Sequence, residues 1–448
     1  MRGVGGNSLR RTSRCLANVA QRAPFCSRPT HAVPWPRANA HGSSPAAAAA
    51  SSSSSPDGAT TSSSSSISSP GTHTASSSAS PVLEIPTTVG PPPPAPGPGV
   101  MVAYYADHWK VPLPEGHRFP MLKYAATRSA LAGDGSLEGR LALRPASPAA
   151  LEDLALVHCP QYVERFRLDA MTEPEMRNVG FPWSPQLVGR TFSSCGGTVA
   201  ATHLVLQQGW GIAGNIAGGT HHAFRDRGEG FCVFNDIAVA SRVAIRDYGL
   251  DSILVLDLDV HQGNGTADIF ADEPRVTTFD MFGDKNYPWK SRRVNTYGLP
   301  LPDHTGDDEY LGLLRSWLPR LLAQHRPQLI MFQAGVDALK GDSFGRLGLS
   351  RAGLLARNNL VYGSALEAGV PLVVTMGGGY TRPMDASVTC HTDVYRTAAY
   401  RLSAWAAAAE QRQQQQQQGT ARGRAEEAGR GQSAEAAVAA AAAASGQQ

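Results

Sequence analysis

"SILVLDLDVHQGNG", residues 252–265, changes character halfway along. Its first half is an apolar, partly β-branched run, the composition of a strand buried on both faces. Its second half places two carboxylates, an imidazole and two glycines on the exit from that strand. In an open parallel sheet the ligand crevice lies beyond the carboxyl ends of the strands, so a buried strand that ends in polar groups and glycine points at a site. Three further stretches share the design: "WGIAGNIAGGTHH" (210–222), "QLIMFQAGVD" (328–337) and "PLVVTMGGGY" (371–380). Segments such as 236–247 and 350–367 carry a helical pattern and read as crossover helices. The alternation predicts an α/β domain, three layers of α/β/α around a central, mostly parallel sheet.

This pattern occupies about residues 101–405 of the 448, enough for one large domain with a substantial core. Residues 1–100 read differently. The first 56 contain no Asp or Glu, and the first forty carry seven arginines before Ala/Ser-rich and then Pro-rich tracts begin. Such a stretch resembles a chloroplast or mitochondrial transit peptide followed by a disordered linker. The alternative address is the nucleus or cytoplasm. Residues 406–448, rich in Ala and Gln, read as a disordered or loosely helical tail.

The formal charge of +3 divides into +5 for residues 1–100 and −2 for the rest, so a nucleic-acid-binding surface is not expected. No run of about 18 apolar residues occurs, so no membrane span is expected. The six cysteines (15, 26, 159, 195, 232, 390) show no CxxC spacing and read as reduced thiols.

If residues 257–261 stay extended, Asp257, Asp259 and His261 point to one face. Carboxylates so close repel, and a cation is the economical way to keep them charged in a crevice. Asp337, at the corresponding exit of "FQAGVD", supplies a further ligand. Two carboxylates and one imidazole leave an open position, as expected of a catalytic zinc. His221 and His222, adjacent on a loop, should diverge and take separate partners: Asp257 for one, Asn264 for the other. The acid partner stabilises an imidazolium and the neutral amide leaves a lower pKa, which separates the two roles. Tyr380, after three glycines, can offer a phenol to a substrate carbonyl. Phe231 could wall a narrow apolar channel.

Together these segments resemble the zinc-dependent histone deacetylase family, which shares its fold with arginase and acetylpolyamine amidohydrolase. The resemblance runs from about Val102 to Ser403 and rests on GHRFPM (116–121), GGTHHA (218–223) with GEGFCVFND (228–236), DLDVHQGNG (257–265), QAGVDALKGD (333–342) and MGGGY (376–380). It looks most like class IV and bacterial members, and Asn264 stands where class I enzymes carry an aspartate. The resemblance implies zinc on Asp259, His261 and Asp337, His222 as general base and then acid, and His221 with Asp257 as electrostatic support. It further implies that Tyr380 polarises the amide carbonyl, and that Gly230, Phe231 and Phe344 line an acyl-lysine tunnel. A structural potassium near Asp257, Asp259, His261 and Asp280 is implied as well. The expected activity is hydrolysis of acetyl-lysine in a histone or organellar protein. The rival expectations are a small N-acyl amine hydrolase acting on acetylpolyamines and an inactive partner-binding scaffold. An arginase-type two-metal site is disfavoured, because the GGTHH and GGGY exits lack the extra carboxylates it needs.

Overall fold

The structure, a computed structural model, describes residues 85–90 and 92–445. Eight strands form one sheet: β1 (Met101–Tyr105), β2 (Leu141–Pro145), β3 (Ile212–Asn215), β4 (Ile253–Asp257), β5 (Val276–Gly283), β6 (Tyr297–Leu301), β7 (Leu329–Gln333) and β8 (Leu372–Thr375). Their order is β2-β1-β3-β8-β7-β4-β5-β6, and every pairing is parallel. The expectation of a mostly parallel sheet is therefore met by a wholly parallel one.

The four stretches singled out in the sequence become β3, β8, β7 and β4, adjacent at the centre of the sheet. All four are buried along their full length, as apolar runs with no polar face require. The crossover helices fall at Asp236–Tyr248 and Arg351–Glu367, within a residue of the segments read from the pattern. Each starts at a side-chain cap: Asn235 accepts from the Ala238 N–H, and Ser350 from the Gly353 N–H. The longer helix Pro185–Gln208 is capped by Ser184 and stops at Gly209, whose left-handed backbone (φ 73°) ends the helical turn.

One boundary differs from expectation. Part of the Pro-rich linker lies against the domain, because the Arg144 guanidinium donates to the carbonyls of Pro93 and Pro94 at 2.7 Å each. Proline cannot donate from its nitrogen, so its carbonyls are left for such a partner. At the other end a single helix runs Asp385–Ser445, through the tail read as disordered or loosely helical, which takes the second form. Ala, Gln, Glu and Arg are strong helix formers, and the helix is already nucleated by its buried first turns. Packing stops sooner: Leu402 and Ala406 are buried, whereas residues 410–418 are exposed. The transit-like segment 1–84 lies outside the described residues. The four described cysteines, 159, 195, 232 and 390, are free. Among the described residues no helix is long and apolar enough to cross a membrane.

Candidate active site

β4 ends at Asp257, not at His261: residues 258–263 are bends and loop. The chain turns because the side chains take over the bonding of the backbone. The Asp259 N–H donates to Asp257 Oδ1 (3.2 Å) and the His261 N–H to Asp259 Oδ1 (3.0 Å). Asp257, at the last position of the strand, serves His221 as expected. Asp259 and His261 are joined instead by Asp337 from the exit of β7. His261 Nδ1 lies 3.0 Å from Asp259 Oδ1 and 3.0 Å from Asp337 Oδ2. One donor atom from each of the three residues lies within 4.8 Å of the others, and all three residues are buried.

Backbone and amide donors hold these carboxylates. Asp337 Oδ1 accepts from the Val260 N–H (2.9 Å), and Asp259 Oδ2 from the Gly378 N–H (2.8 Å) and the Gln333 side-chain amide (2.9 Å). Gly378 is required here, since a Cβ at that position would run into the Asp337 and Asp259 carboxylates. Below them Arg357, fully buried, donates to the carbonyls of Leu258 (3.1 Å), Gly335 (2.7 Å) and Ala334 (3.2 Å), tying the exits of β4 and β7 together.

Among the described residues no lysine or arginine is ion-paired with Asp259 or Asp337, and His261 is the basic side chain in direct contact with both. Burial lowers the imidazole pKa, but the two carboxylates outweigh it and raise His261 to about 10. Burial and the neighbouring Asp259 push Asp337 up to about 7. Asp259 moves the other way: burial opposes ionisation, but His221 and His261 hold it well below the usual range. Two hard oxygen donors and one imidazole nitrogen thus crowd one buried point where positive charge is needed, and they fit a divalent cation such as zinc.

The two histidines beside this cluster do take separate partners: His221 Nδ1 lies 2.7 Å from Asp257 Oδ2 and His222 Nδ1 2.7 Å from Asn264 Oδ1. They do not diverge, however. Their ring centroids are 4.1 Å apart, because the tight GGTHH turn puts both on the crevice floor. Proximity sharpens the division of labour. Burial would lower His221, but Asp257, Asp259 and Asp280 raise it to about 9. Burial, His221 and His261 drive His222 well below its ordinary value, so it presents an unprotonated ring.

Above the cluster stands Tyr380. Burial, with Asp337 and Asp259 nearby, raises its phenol well above 10, so it remains a neutral donor. Its ring meets Phe344 (4.8 Å between centroids), and Phe344 lies near-parallel to Phe231 at 6.4 Å and 25°. The two rings stack across a narrow slot. Gly230 and Phe231 both adopt left-handed backbone (φ 55° and 66°), which turns the Phe231 ring into the slot. A Cβ on Gly230 would come within 2.8 Å of the His222 ring. The cavity continues past His222 to Phe119 and Tyr124.

Sequence reasoning passed over several groups that hold the site. Gln333, Asp342 and Lys123 all lie inside or beside the quoted motifs. Asp342 accepts from the backbone N–H groups of Phe344 (2.9 Å), Gly345 (3.0 Å) and Tyr380 (2.6 Å). Lys123, fully buried, donates to the Gly377 carbonyl (3.0 Å) and sits 4.9 Å from the centre of the Tyr380 ring. The sequence signal for Lys123 was weak: a lysine between apolar residues reads as a surface position until its helix is placed.

A wholly parallel sheet with three carboxylates, three histidines and a phenol at its central exits defines a hydrolase site of the arginase-deacetylase type. Comparison with known proteins agrees. The histone deacetylase domain family matches residues 117–395. An uncharacterized protein of Picosynechococcus is 41% identical over 301 residues, covering 67% of this chain and 98% of that one. Histone deacetylase 2 of Arabidopsis thaliana is 32% identical over 274 residues, 59% of this chain and 70% of its own. The histone deacetylase-like amidohydrolase of Pseudomonas aeruginosa is 33% identical over 262 residues, 55% of this chain and 68% of its own. The crystal structure of an HDAC homolog complexed with SAHA superposes with a TM-score of 0.57 at 25% identity, covering 68% of this chain and 84% of that one. The chain belongs to the histone deacetylase family and is a hydrolase of that family.

Proposed function

We propose that this protein is a zinc-dependent lysine deacetylase that hydrolyses Nε-acetyl-lysine in a protein substrate to lysine and acetate. The observation that carries the reading is the convergence of Asp259, His261 and Asp337 on one point, flanked by a neutral His222 and a neutral Tyr380. Zinc held by these three residues would supply Lewis-acid polarisation of the acetyl carbonyl and of water. The remaining steps belong to the protein's own groups. The acyl-lysine chain lies between Phe231 and Phe344, with Gly230 at the bend. His222 Nε2 takes a proton from the attacking water, and Asn264 holds the opposite ring nitrogen. His221, paired with Asp257, stays cationic and stabilises the negative charge that develops beside it. Tyr380 donates its phenol hydrogen to the new oxyanion, and His222 then returns its proton to the departing amine.

Asp280 supports a structural potassium near Asp257, Asp259 and His261. It is fully buried opposite Asp257 on the neighbouring strand, and one of its carboxylate oxygens has no hydrogen-bond partner. Burial and Asp257 raise its pKa well above the usual range, so a nearby cation would relieve both carboxylates. The transit-like composition of residues 1–56 supports an organellar protein substrate over a chromatin one.

The test is turnover by the full chain, loaded with zinc, on an acetyl-lysine peptide and on acetylspermidine in parallel. Preferential cleavage of the peptide, abolished by chelation and restored by zinc, is expected. Preference for acetylspermidine would move the substrate to small N-acyl amines, and absence of both zinc binding and hydrolysis would leave a scaffold.

A further inference from the structure

A chain of hydrogen bonds leads away from His222. Its Nδ1 meets Asn264 Oδ1 at 2.7 Å, and Asn264 Nδ2 donates to the Ser291 carbonyl and the Ser291 hydroxyl, both at 3.1 Å. The Ser291 hydroxyl in turn donates to Glu229 Oε1, which also accepts from the Tyr287 phenol at 2.6 Å. The Tyr287 ring closes the loop by meeting the His222 ring edge-on, 5.0 Å between centroids. Glu229 lies one residue before the glycine that touches His222, and Ser291 comes from the distant 284–296 loop.

We propose that Glu229 is a positioning residue that preserves the tautomer of His222 by keeping the Ser291 hydroxyl from stabilising an inverted Asn264 amide, an inference that rests on His222 being the base of the reaction. The direction of every bond follows from the last acceptor. A carboxylate has no hydrogen to give, so the Ser291 hydroxyl must point at Glu229. Its lone pairs then face Asn264, which must present its NH2 group to them. The amide oxygen is thereby turned to His222, whose Nδ1 must carry the hydrogen. Nε2 is left bare, facing the cavity, in the form a general base needs.

An Asn264 amide turned the other way would set its oxygen against the Ser291 carbonyl and would favour hydrogen on Nε2. The Ser291 hydroxyl could rescue that arrangement by swinging round to donate to the amide oxygen. Glu229 forbids the swing by engaging the hydroxyl. A glutamine at 229 can itself donate to the Ser291 oxygen, which releases the hydroxyl hydrogen and makes the inverted amide viable.

The experiment reads the tautomer directly, through the imidazole 15N shifts of full-length protein labelled at histidine, with His222 assigned by its loss in His222→Gln. Wild-type protein should show a single Nδ1–H form. Glu229→Gln should show a substantial Nε2–H population, and kcat on an acetyl-lysine peptide should fall about two- to fivefold with KM little changed. Ser291→Ala retains the carbonyl but has no hydroxyl to rescue the inverted amide, so it should keep the Nδ1–H form. The double variant Glu229→Gln with Ser291→Ala should regain what Glu229→Gln lost. A single Nδ1–H form in Glu229→Gln overturns the proposal. So does a double variant no better than Glu229→Gln, because Glu229 would then act only by anchoring the loop. The tautomer is read without turnover, so an inactive protein with the expected shifts would count against the function and not against this inference.

Discussion

At the scale of single residues the site is a set of charges sorted by their surroundings. His221 and His222 are neighbours with the same side chain and similar burial, yet their pKa values move in opposite directions: Asp257 and Asp259 outweigh burial at His221, whereas burial and the nearby His221 and His261 lower His222 against the weaker support of Asn264. Tyr380 is kept as a phenol by burial and, beyond that, by the Asp337 and Asp259 carboxylates nearby. Removing its hydroxyl deletes one oxyanion donor, which costs about 10²- to 10³-fold in kcat. Tyr380→Phe should therefore be crippled with its melting temperature nearly unchanged, as the ring contacts with Phe344 and Phe119 remain; full turnover on an acetyl-lysine peptide would remove Tyr380 from the reaction. Gly378→Ala tests the donor cluster instead, because its Cβ would displace the Asp337 and Asp259 carboxylates. Calorimetry should show zinc affinity falling by at least about tenfold in that variant, the scale on which misplaced ligands lose metal. Unchanged affinity would mean that these carboxylates do not hold the ion.

At the scale of elements the motif residues sit on loops held by buried polar groups from elsewhere. His158 is one such group: its Nε2 accepts from the Asn235 N–H at 2.9 Å, which leaves Nδ1–H to donate to the Phe224 carbonyl at 3.0 Å. It thereby ties together both ends of the loop that carries Gly230 and Phe231. Burial lowers its pKa to about 4, against 6.5 for the free side chain. The unfolded chain binds this proton more readily than the folded one, so stability falls as pH drops from about 6.5 towards 4 and the loss is complete below that. At 1.36 kcal/mol per pH unit the penalty is about 3 kcal/mol. His158→Gln, which can keep one of the two bonds and does not titrate, should lower the melting temperature at pH 7.5 but flatten its fall between pH 6.5 and 4. An equally steep fall in the variant would assign the acid sensitivity to other groups.

At the scale of the whole molecule a family domain, residues 117–395, is embedded in a chain whose first hundred residues have another composition. Seven arginines without an acidic residue in the first forty lead us to propose organellar import. Residues 1–100 fused to a fluorescent protein should accumulate in a plastid or mitochondrion, and a nuclear signal would sink the proposal. The domain itself holds linker residues before its expected start, since Arg144 donates to the Pro93 and Pro94 carbonyls, and Trp405, at its expected end, meets Trp210 at 5.1 Å between centroids.

The central strands, the parallel sheet and the chemistry at its exits were legible in the sequence because burial on both faces demands continuous apolar runs, and a sharp exit into a crevice demands glycine. The residue types that could bind metal, accept a proton or donate to an oxyanion stood at the ends of those runs. Which atom faces which was decided by tertiary structure alone. Asp257 was read as sharing a face with Asp259 and His261 and as the partner of His221; the pairing with His221 holds, while the chain bends directly after Asp257 and β4 ends there. Gln333, Asp342, Lys123, Glu229 and Ser291 could not be given roles from their local sequence, since each acts on a segment between 38 and 254 residues away, or through one that is. Periodicity and motif spacing describe how a segment meets its own neighbours. The orientation of a buried hydrogen bond depends on what the rest of the chain brings to its other end.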